Sequence, residues 1–301
     1  MRRFVQSLSK GERNKMSILK KRKPNRSRAG DFGVYFILII FGTFFLIPLL
    51  FAINNAFKPL DEIFLFPPEL FVNKPTLDNF ADLFVLMGKT WVPFSRYIFN
   101  TVFITVVGTG GHLLVASMAA YVLSKYRFPG SRMFFNIVIT ALMFSGYVTQ
   151  IPNYLIMSKL HMVDSYWAVV VPAFAAPMGL FLMKQFMEQI PMTLIEAAKV
   201  DGAKEGRIYL QVVMPLVKPA TLTLSIFSIQ YLWNQRASNL IYAEELKTLP
   251  YALSQIVSGG QVARAGVSAA VTLFIMIVPL LFFVMAQSNI IETMASSGIK
   301  E

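Results

Sequence analysis

Residues 196–219 read EAAKVDGAKEGRIYLQVVMPLVKP. This is the most polar long stretch in the middle of an otherwise very apolar chain, and it decides how the apolar segments on either side are arranged. Pro191, just ahead of it, suits the first turn of a helix, because its missing N–H would be unpaired there. Helix-compatible residues run on to Asp201, and Gly202 fits the left-handed position just past a helix end. A second helical run over 204–214 is expected to stop at Pro215 and Pro219. The stretch is therefore predicted as helix, tight turn, helix, lying at a membrane surface. Glu196, Lys199 and Lys204 are water-facing types, whereas Ala197, Ala198, Gly202 and Ala203 are small enough for another surface to approach the backbone. Such a hairpin reads either as a docking knob, with shape from the alanines and register from the carboxylate, or as an amphipathic connector resting on lipid headgroups.

The rest of the 301 residues point to lipid. They are 55% hydrophobic and only 15% charged, where a soluble domain carries about 25% charged residues. The mean hydropathy is +0.56. The absence of cysteine excludes disulfides, thiolate zinc sites and cysteine nucleophiles. Two histidines, His112 and His161, are too few for a histidine-rich metal site. The net charge of +12 does not describe a nucleic-acid-binding domain, because 11 of the 28 Lys and Arg lie in the first 28 residues, ahead of the first apolar run. That placement marks a cytoplasmic flank, with recognition of anionic lipid as the functional alternative.

Six apolar cores are long enough, or nearly so, to cross about 30 Å of hydrocarbon. They cover 34–53, 101–123, 133–152, 166–183, 220–233 and 265–287. The fifth is short and polar, with Thr221, Thr223, Ser225, Ser228 and Gln230 in it. The first lacks a small-residue cleavage site after it and reads as a retained anchor. With the N-terminus inside, 20 of the 28 Lys and Arg fall on the inner side, while the 16 Asp and Glu divide equally. The positive-inside rule thus places both termini and the 184–219 loop in the cytoplasm. No Lys, Arg, Asp or Glu lies within the cores, which disfavours a proton-coupled carrier. The fold class is all-α: a polytopic membrane protein of six transmembrane helices. A basic tail covers 1–33, the permease domain 34–290 with an external segment at 57–99, and a short tail 291–301.

Glu-Ala-Ala at 196–198, Asp-Gly-Ala at 201–203 and the later Pro-Leu-Val-Lys-Pro at 215–219 resemble the EAA loop of ABC importer permeases. The resemblance runs over nearly the whole chain and narrows to carbohydrate permeases of the maltose type. FKPLDEIFLFPPELF at 57–71 and TLDNFADLF at 76–84 are similar to their first external segment, AAYVLSKYRFPG at 119–130 to the end of their early helical hairpin, and WNQRASNLIY at 233–242 to their Trp-Asn element. The ending SSGIKE resembles the short Gly-Lys tail of one subunit type but departs from its usual pattern. The resemblance implies that Glu196, Ala197, Ala198, Asp201, Gly202 and Ala203 form a coupling helix docking into an ATP-binding subunit. It also implies a second related permease, two ATP-binding subunits that hold the ATP and Mg, an extracellular or periplasmic solute-binding protein, a sugar or oligosaccharide cargo, and the bacterial cytoplasmic membrane as location. Two rivals stay open, a permease for a non-carbohydrate solute and an ion-coupled secondary transporter.

The chain has no P-loop lysine motif, so no cofactor is expected on it. Gly108, Gly110 and Gly111 sit inside a span, where small residues allow close helix packing. The triplet Asn25-Arg26-Ser27 falls on the cytoplasmic side and reads as chance. No paired carboxylates or nucleophile constellation share a membrane depth. For the cargo path, Tyr147 and Gln150 on the third span, and Gln230, Tyr231, Trp233, Asn234 and Arg236 on and after the fifth, supply aromatic faces and amide groups suited to sugars. Helix–helix hydrogen bonding and an interfacial aromatic belt explain the same residues equally well. Arg236 offers a planar fork matched to a carboxylate, and snorkelling or a pair with Glu244 or Glu245 are its alternatives. In the external segment, Thr76 is placed to cap a helix with Asp78 in its first turn.

Overall fold

A computed structural model describes residues 28–237, 239–258 and 265–297. The basic tail up to residue 27 and the Gly-Lys ending at 298–301 lie outside the described residues. Among the described residues the regular structure is helical throughout. Two units are distinguished, 1–51 and 52–301. The first holds most of helix α1, Arg28–Phe57. Its stretch Gly30–Phe57 is 28 residues long, and between Asp31 and Asn54 it carries apolar side chains on every face, the pattern of a membrane span.

The second unit is built on α4, Phe94–Lys125. At 1.5 Å per residue this 32-residue helix is a rod about 48 Å long. Ahead of it lie the short α2 (Leu60–Ile63) and α3 (Asp78–Gly88) of the external segment. The Thr76 hydroxyl accepts from the Asp78 amide at 3.1 Å, but the cap residue of α3 is Leu77, so Thr76 stands one position ahead of the capping place expected for it. Glu62 holds this segment in shape by accepting from the amides of Asn73 and Lys74 at 3.0 and 2.8 Å.

After α4 come α5 (Ser131–Leu142) and α6 (Gly146–Lys159). The expected third span, 133–152, is not one straight helix, because α5 and α6 meet at 113°. Ser145 accounts for the break. Its hydroxyl accepts from the Tyr147 amide and caps a new helix that starts at Gly146, three residues intervening after Leu142. Next, α7 (Trp167–Phe174) and α8 (Pro177–Glu188) together make a 22-residue segment long enough to cross. Pro177 opens α8 at a position where it needs no amide donor.

Helices α9 (Met192–Val200) and α10 (Glu205–Leu216) follow. The expected stop at Pro215 does not occur. The turn Tyr209–Val213 is wound as a π-helix, and Met214 donates back to the Tyr209 carbonyl. Pro215 then enters at the first turn of the segment that follows, where its missing donor costs nothing. The bend comes later, at Val217. There α10 meets α11 (Lys218–Trp233) at 79°, with Pro219 in the first turn of α11. Last come α12 (Leu249–Ser258) and α13 (Ala265–Ser297). Among the described residues four segments are long and apolar enough to cross a membrane, and six if each of the two bent pairs is counted as one span.

The core is strung along α4 in three groups. At its N-terminal end Tyr97 packs with Leu83, Trp233, Leu253 and Val271. In the middle Ile104 meets Val170, Leu232 and Ile241. At the C-terminal end Ala116, Ala120 and Tyr121 form an inner core with Met183, Ile195, Ile208, Val213 and Leu224. Gly108 and Gly111 bear out close packing, since a Cβ on either would strike Leu232 or Phe174, whereas Gly110 faces outward with open space beside it.

Candidate functional site

The hairpin of α9 and α10 packs at the C-terminal end of α4. Lys125 donates to the Ile190 carbonyl at 2.6 Å, fixing where the chain leaves α8. Pro191 takes an extended conformation and serves as the cap residue ahead of α9 rather than its first turn. On α9 one apolar residue, Ile195, is fully buried in the inner core.

The end of α9 is a Schellman motif. The Ala203 amide donates to the Ala198 carbonyl at 2.9 Å and the Gly202 amide to the Lys199 carbonyl at 3.0 Å. Gly202 has φ +79°, the left-handed conformation that glycine adopts without penalty. The apolar contact that accompanies this motif is made by Ala198 and Ala203, which pack onto the inner core. Of the six residues assigned to docking, these two therefore face inward. Glu196, Ala197, Asp201 and Gly202 face solvent. Between them stands Val200, 88% exposed, which composition alone does not single out. The outward patch is thus two carboxylates, two small residues and one unburied valine.

A second set of contacts ties the hairpin to α4. Glu205, in the first turn of α10, lies 2.8 Å from Lys199 at the end of α9 and accepts from the Tyr121 hydroxyl at 2.9 Å. The Lys199 ammonium, with tyrosine hydroxyls behind it, holds the Glu205 carboxyl at about 2, well below the usual range. One turn further on, the Tyr209 hydroxyl and Ser117 are 2.6 Å apart.

The proposed path residues fall into distinct places. Tyr147 (89% exposed) and Gln150 are on the outside of α6. Gln230, Tyr231, Asn234 and Arg236 are exposed at the end of α11 and just beyond. Asn234 folds back onto the Gln230 carbonyl at 2.7 Å and Gln235 onto the Tyr231 hydroxyl at 2.9 Å. Trp233 is turned the other way, 6% exposed, its indole N–H donating to the Ile275 carbonyl at 3.0 Å. Glu244, one offered partner of Arg236, instead accepts from the Tyr97 hydroxyl at 2.8 Å. Tyr231 also lines an apolar cavity of about 240 Å³, with Phe227, Ser228 and His112.

The family described as "Binding-protein-dependent transport system inner membrane component" matches residues 112–294. The chain belongs to this family. The match takes in the α9–α10 hairpin and every helix from His112 on α4 onward. Among the relatives of this inner membrane component is the polygalacturonan/rhamnogalacturonan transport system permease protein YtcP of Bacillus subtilis (strain 168). It is 29% identical over 75% of this chain and 76% of the relative. The arabinooligosaccharides transport system permease protein AraQ of Halalkalibacterium halodurans is 32% identical over 70% of this chain and 76% of its own length. In structure, this inner membrane component is similar to a chain of a bacterial ABC transporter involved in the import of the acidic polysaccharide alginate. The TM-score is 0.73 at 24% identity, over 88% of this chain and 99% of that one. The chain is accordingly a multi-pass transport permease of the ABC importer fold.

Proposed function

We propose that this chain is one permease half of an ATP-driven oligosaccharide importer that works by alternating access. The observation that carries the reading is the outward patch of Glu196, Ala197, Val200, Asp201 and Gly202 on a hairpin whose turn is fixed by a Schellman motif. A helix resting on lipid shows a broad apolar face and a basic polar one. Here Ile195 is engaged by the protein's own core, and the patch sets the carboxylates of Glu196 and Asp201 beside the small Ala197 and Gly202, although Lys199 and Lys204 on the same hairpin are exposed too. Such a surface suits a cleft on another protein, and we assign that protein as an ATP-binding subunit.

In this reading two ATP-binding subunits hold ATP and Mg, a second related permease completes the path, and a solute-binding protein delivers cargo from outside. Closure of the ATP-binding pair displaces the hairpin, and the spans rock around the path. The excess of Lys and Arg on the inner side supports cytoplasmic termini in the bacterial cell membrane. Relatives named for polygalacturonan and for arabinooligosaccharides support a carbohydrate cargo.

The test is to purify the chain with what co-elutes, reconstitute it in vesicles, and measure ATP-dependent uptake of labelled arabino-oligosaccharides and oligogalacturonates. Co-elution of two ATP-binding subunits and a second permease, with uptake of at least one sugar class, is the expected result. Solute uptake by the chain alone, driven by an ion gradient without ATP, would overturn it.

A further inference from the structure

We propose that Glu205 and Tyr209 on α10, bonded to Tyr121 and Ser117 on α4, form a two-rung ladder that carries movement of the docking hairpin into α4. This rests on the docking reading of the hairpin. Ser117 and Tyr121 are four residues apart on α4, and Glu205 and Tyr209 are four apart on α10, so each pair lies on one helix face. The rungs run antiparallel, Tyr121 to Glu205 at 2.9 Å and Ser117 to Tyr209 at 2.6 Å. Two directional bonds one turn apart fix axial register in a way that apolar packing does not. For α10 to slide along α4, both must break together.

The ladder is also joined to the docking face. Glu205 shares its carboxylate between Tyr121 and Lys199, so the last turn of α9, the first turn of α10 and the inner end of α4 meet at one charged group. The negative charge lies in the first turn of α10, where the helix dipole favours it. Tyr121 is held between Tyr126 and Tyr209, with ring centroids at 5.8 and 5.6 Å, which keeps its hydroxyl on Glu205. The depressed pKa of Glu205 keeps the rung charged across the physiological range.

At the far end of α4 the rod is bonded to the external loop. Tyr97 donates to Glu244, and the Asn100 amide to the carbonyls of Glu245 and Lys247, each at 2.8 Å. A pull at Glu205 thus reaches residues 244–247 through one continuous helix. Glu205 and Tyr121 are positioning residues in this scheme, since neither is on the outward patch.

The absence of native cysteine allows a direct test. In the complex as purified with its ATP-binding subunits, spin labels are placed at Ser95→Cys, on the outer end of α4, and at Lys204→Cys, on the hairpin. With the ladder intact, hairpin and rod move as one body, so the distance between labels is unchanged on trapping with ATP and vanadate. In Tyr121→Phe/Tyr209→Phe, ATP hydrolysis persists while the distance shifts by roughly 2 Å or more, the scale of helix displacements in switching proteins. Glu205→Gln keeps an acceptor for Tyr121 but loses the charge, and a smaller shift of the same sign is expected. It serves as the deciding variant if the double substitution does not fold. An unchanged distance in variants that fold and hydrolyse ATP would overturn the ladder, as would an equal shift in the unsubstituted protein. Failure of any ATP-binding subunit to co-elute would remove the docking reading, and the transmission with it.

Discussion

His112 and Ser228 stand 116 residues apart in sequence, and their Nδ1 and Oγ atoms are 2.8 Å apart in space. The contact joins the middle of α4 to the middle of α11. On its other side the ring reaches the Ala176 carbonyl from Nε2 at 3.2 Å. A carbonyl only accepts, so Nε2 carries the proton, and in the neutral ring Nδ1 accepts from the Ser228 hydroxyl. One imidazole thus links α4, α11 and the break between α7 and α8, satisfying polar groups that lipid would leave costly.

That link depends on Gly179. A Cβ there would lie 2.1 Å from His112 Nε2, and the ring, bonded on both sides, could withdraw only by giving up those bonds. Gly179→Ala is expected to cost about 1–3 kcal/mol, the usual range for overpacking. Its unfolding midpoint in detergent should fall well below that of the unsubstituted protein, with a smaller fall for Ser228→Ala. Equal midpoints for Gly179→Ala and the unsubstituted protein would show that the three segments are not held by this ring.

Orientation gives a second prediction. Lys204, capping α10, and Glu245, in the loop after α11, are both exposed. In a chain without cysteine, Lys204→Cys should react with a membrane-impermeant thiol reagent from the cytoplasmic face only. Glu245→Cys should react from the opposite face only. Reaction of both from one face would contradict the six-span arrangement.

Much of this architecture was legible because lipid imposes one strong rule, a long apolar run for each crossing. The rule finds α1, α4 and α13 directly. It is blind to breaks inside a run, since α5 and α6 are apolar on either side of Ser145 and hydropathy averages over the turn. The restart was nevertheless written locally, as a serine followed by glycine where a helix needs a cap. Ala198 and Ala203 show a different limit. Their size marks a close contact, but whether that contact is a foreign surface or the protein's own core depends on the Schellman turn. Trp233 likewise reads as a sugar platform until its indole N–H is seen on the Ile275 carbonyl, 42 residues later. The ladder between α4 and α10 had no local signal, because Tyr121 and Glu205 are 84 residues apart.

A third prediction concerns the outer loops. Asp164 has φ +62°, which aspartate tolerates, and its carboxylate accepts from the amides of Tyr242 and Ala243 at 2.8 and 2.7 Å. These bonds, that from Ala243 foremost, hold its carboxyl below the usual range. A depressed carboxylate stabilises the fold above its unfolded pKa of about 3.9, and loses that contribution as pH falls through its folded value. The 240–243 turn should therefore be insensitive to pH from neutrality down to about 5 and loosen only below about 4. In Asp164→Ala, amide hydrogen exchange at Tyr242 and Ala243 should rise severalfold at neutral pH. Exchange unchanged in that variant would show that the turn is held elsewhere.

The fourth prediction separates the two faces of α9. Glu196 and Ala197 are outward, and Ala198 is packed inward beside Ile195. Glu196→Ala and Ala197→Leu should leave the fold and its unfolding midpoint unchanged, while binding of the ATP-binding subunit and ATP-driven uptake fall. Ala198→Leu should do the reverse at first order. It lowers the midpoint by overpacking the inner core, by about 1–3 kcal/mol. Gly202→Leu combines both effects, because a side chain in the left-handed conformation costs about 1–2 kcal/mol and also stands on the approach to the patch. Midpoint, co-elution with the ATP-binding subunit and uptake, measured on all four variants, distinguish the faces. If Glu196→Ala and Ala197→Leu both bind and transport as the unsubstituted protein does, the outward face of α9 is not the docking surface. The hairpin would then be only the membrane-surface connector that its composition also allows.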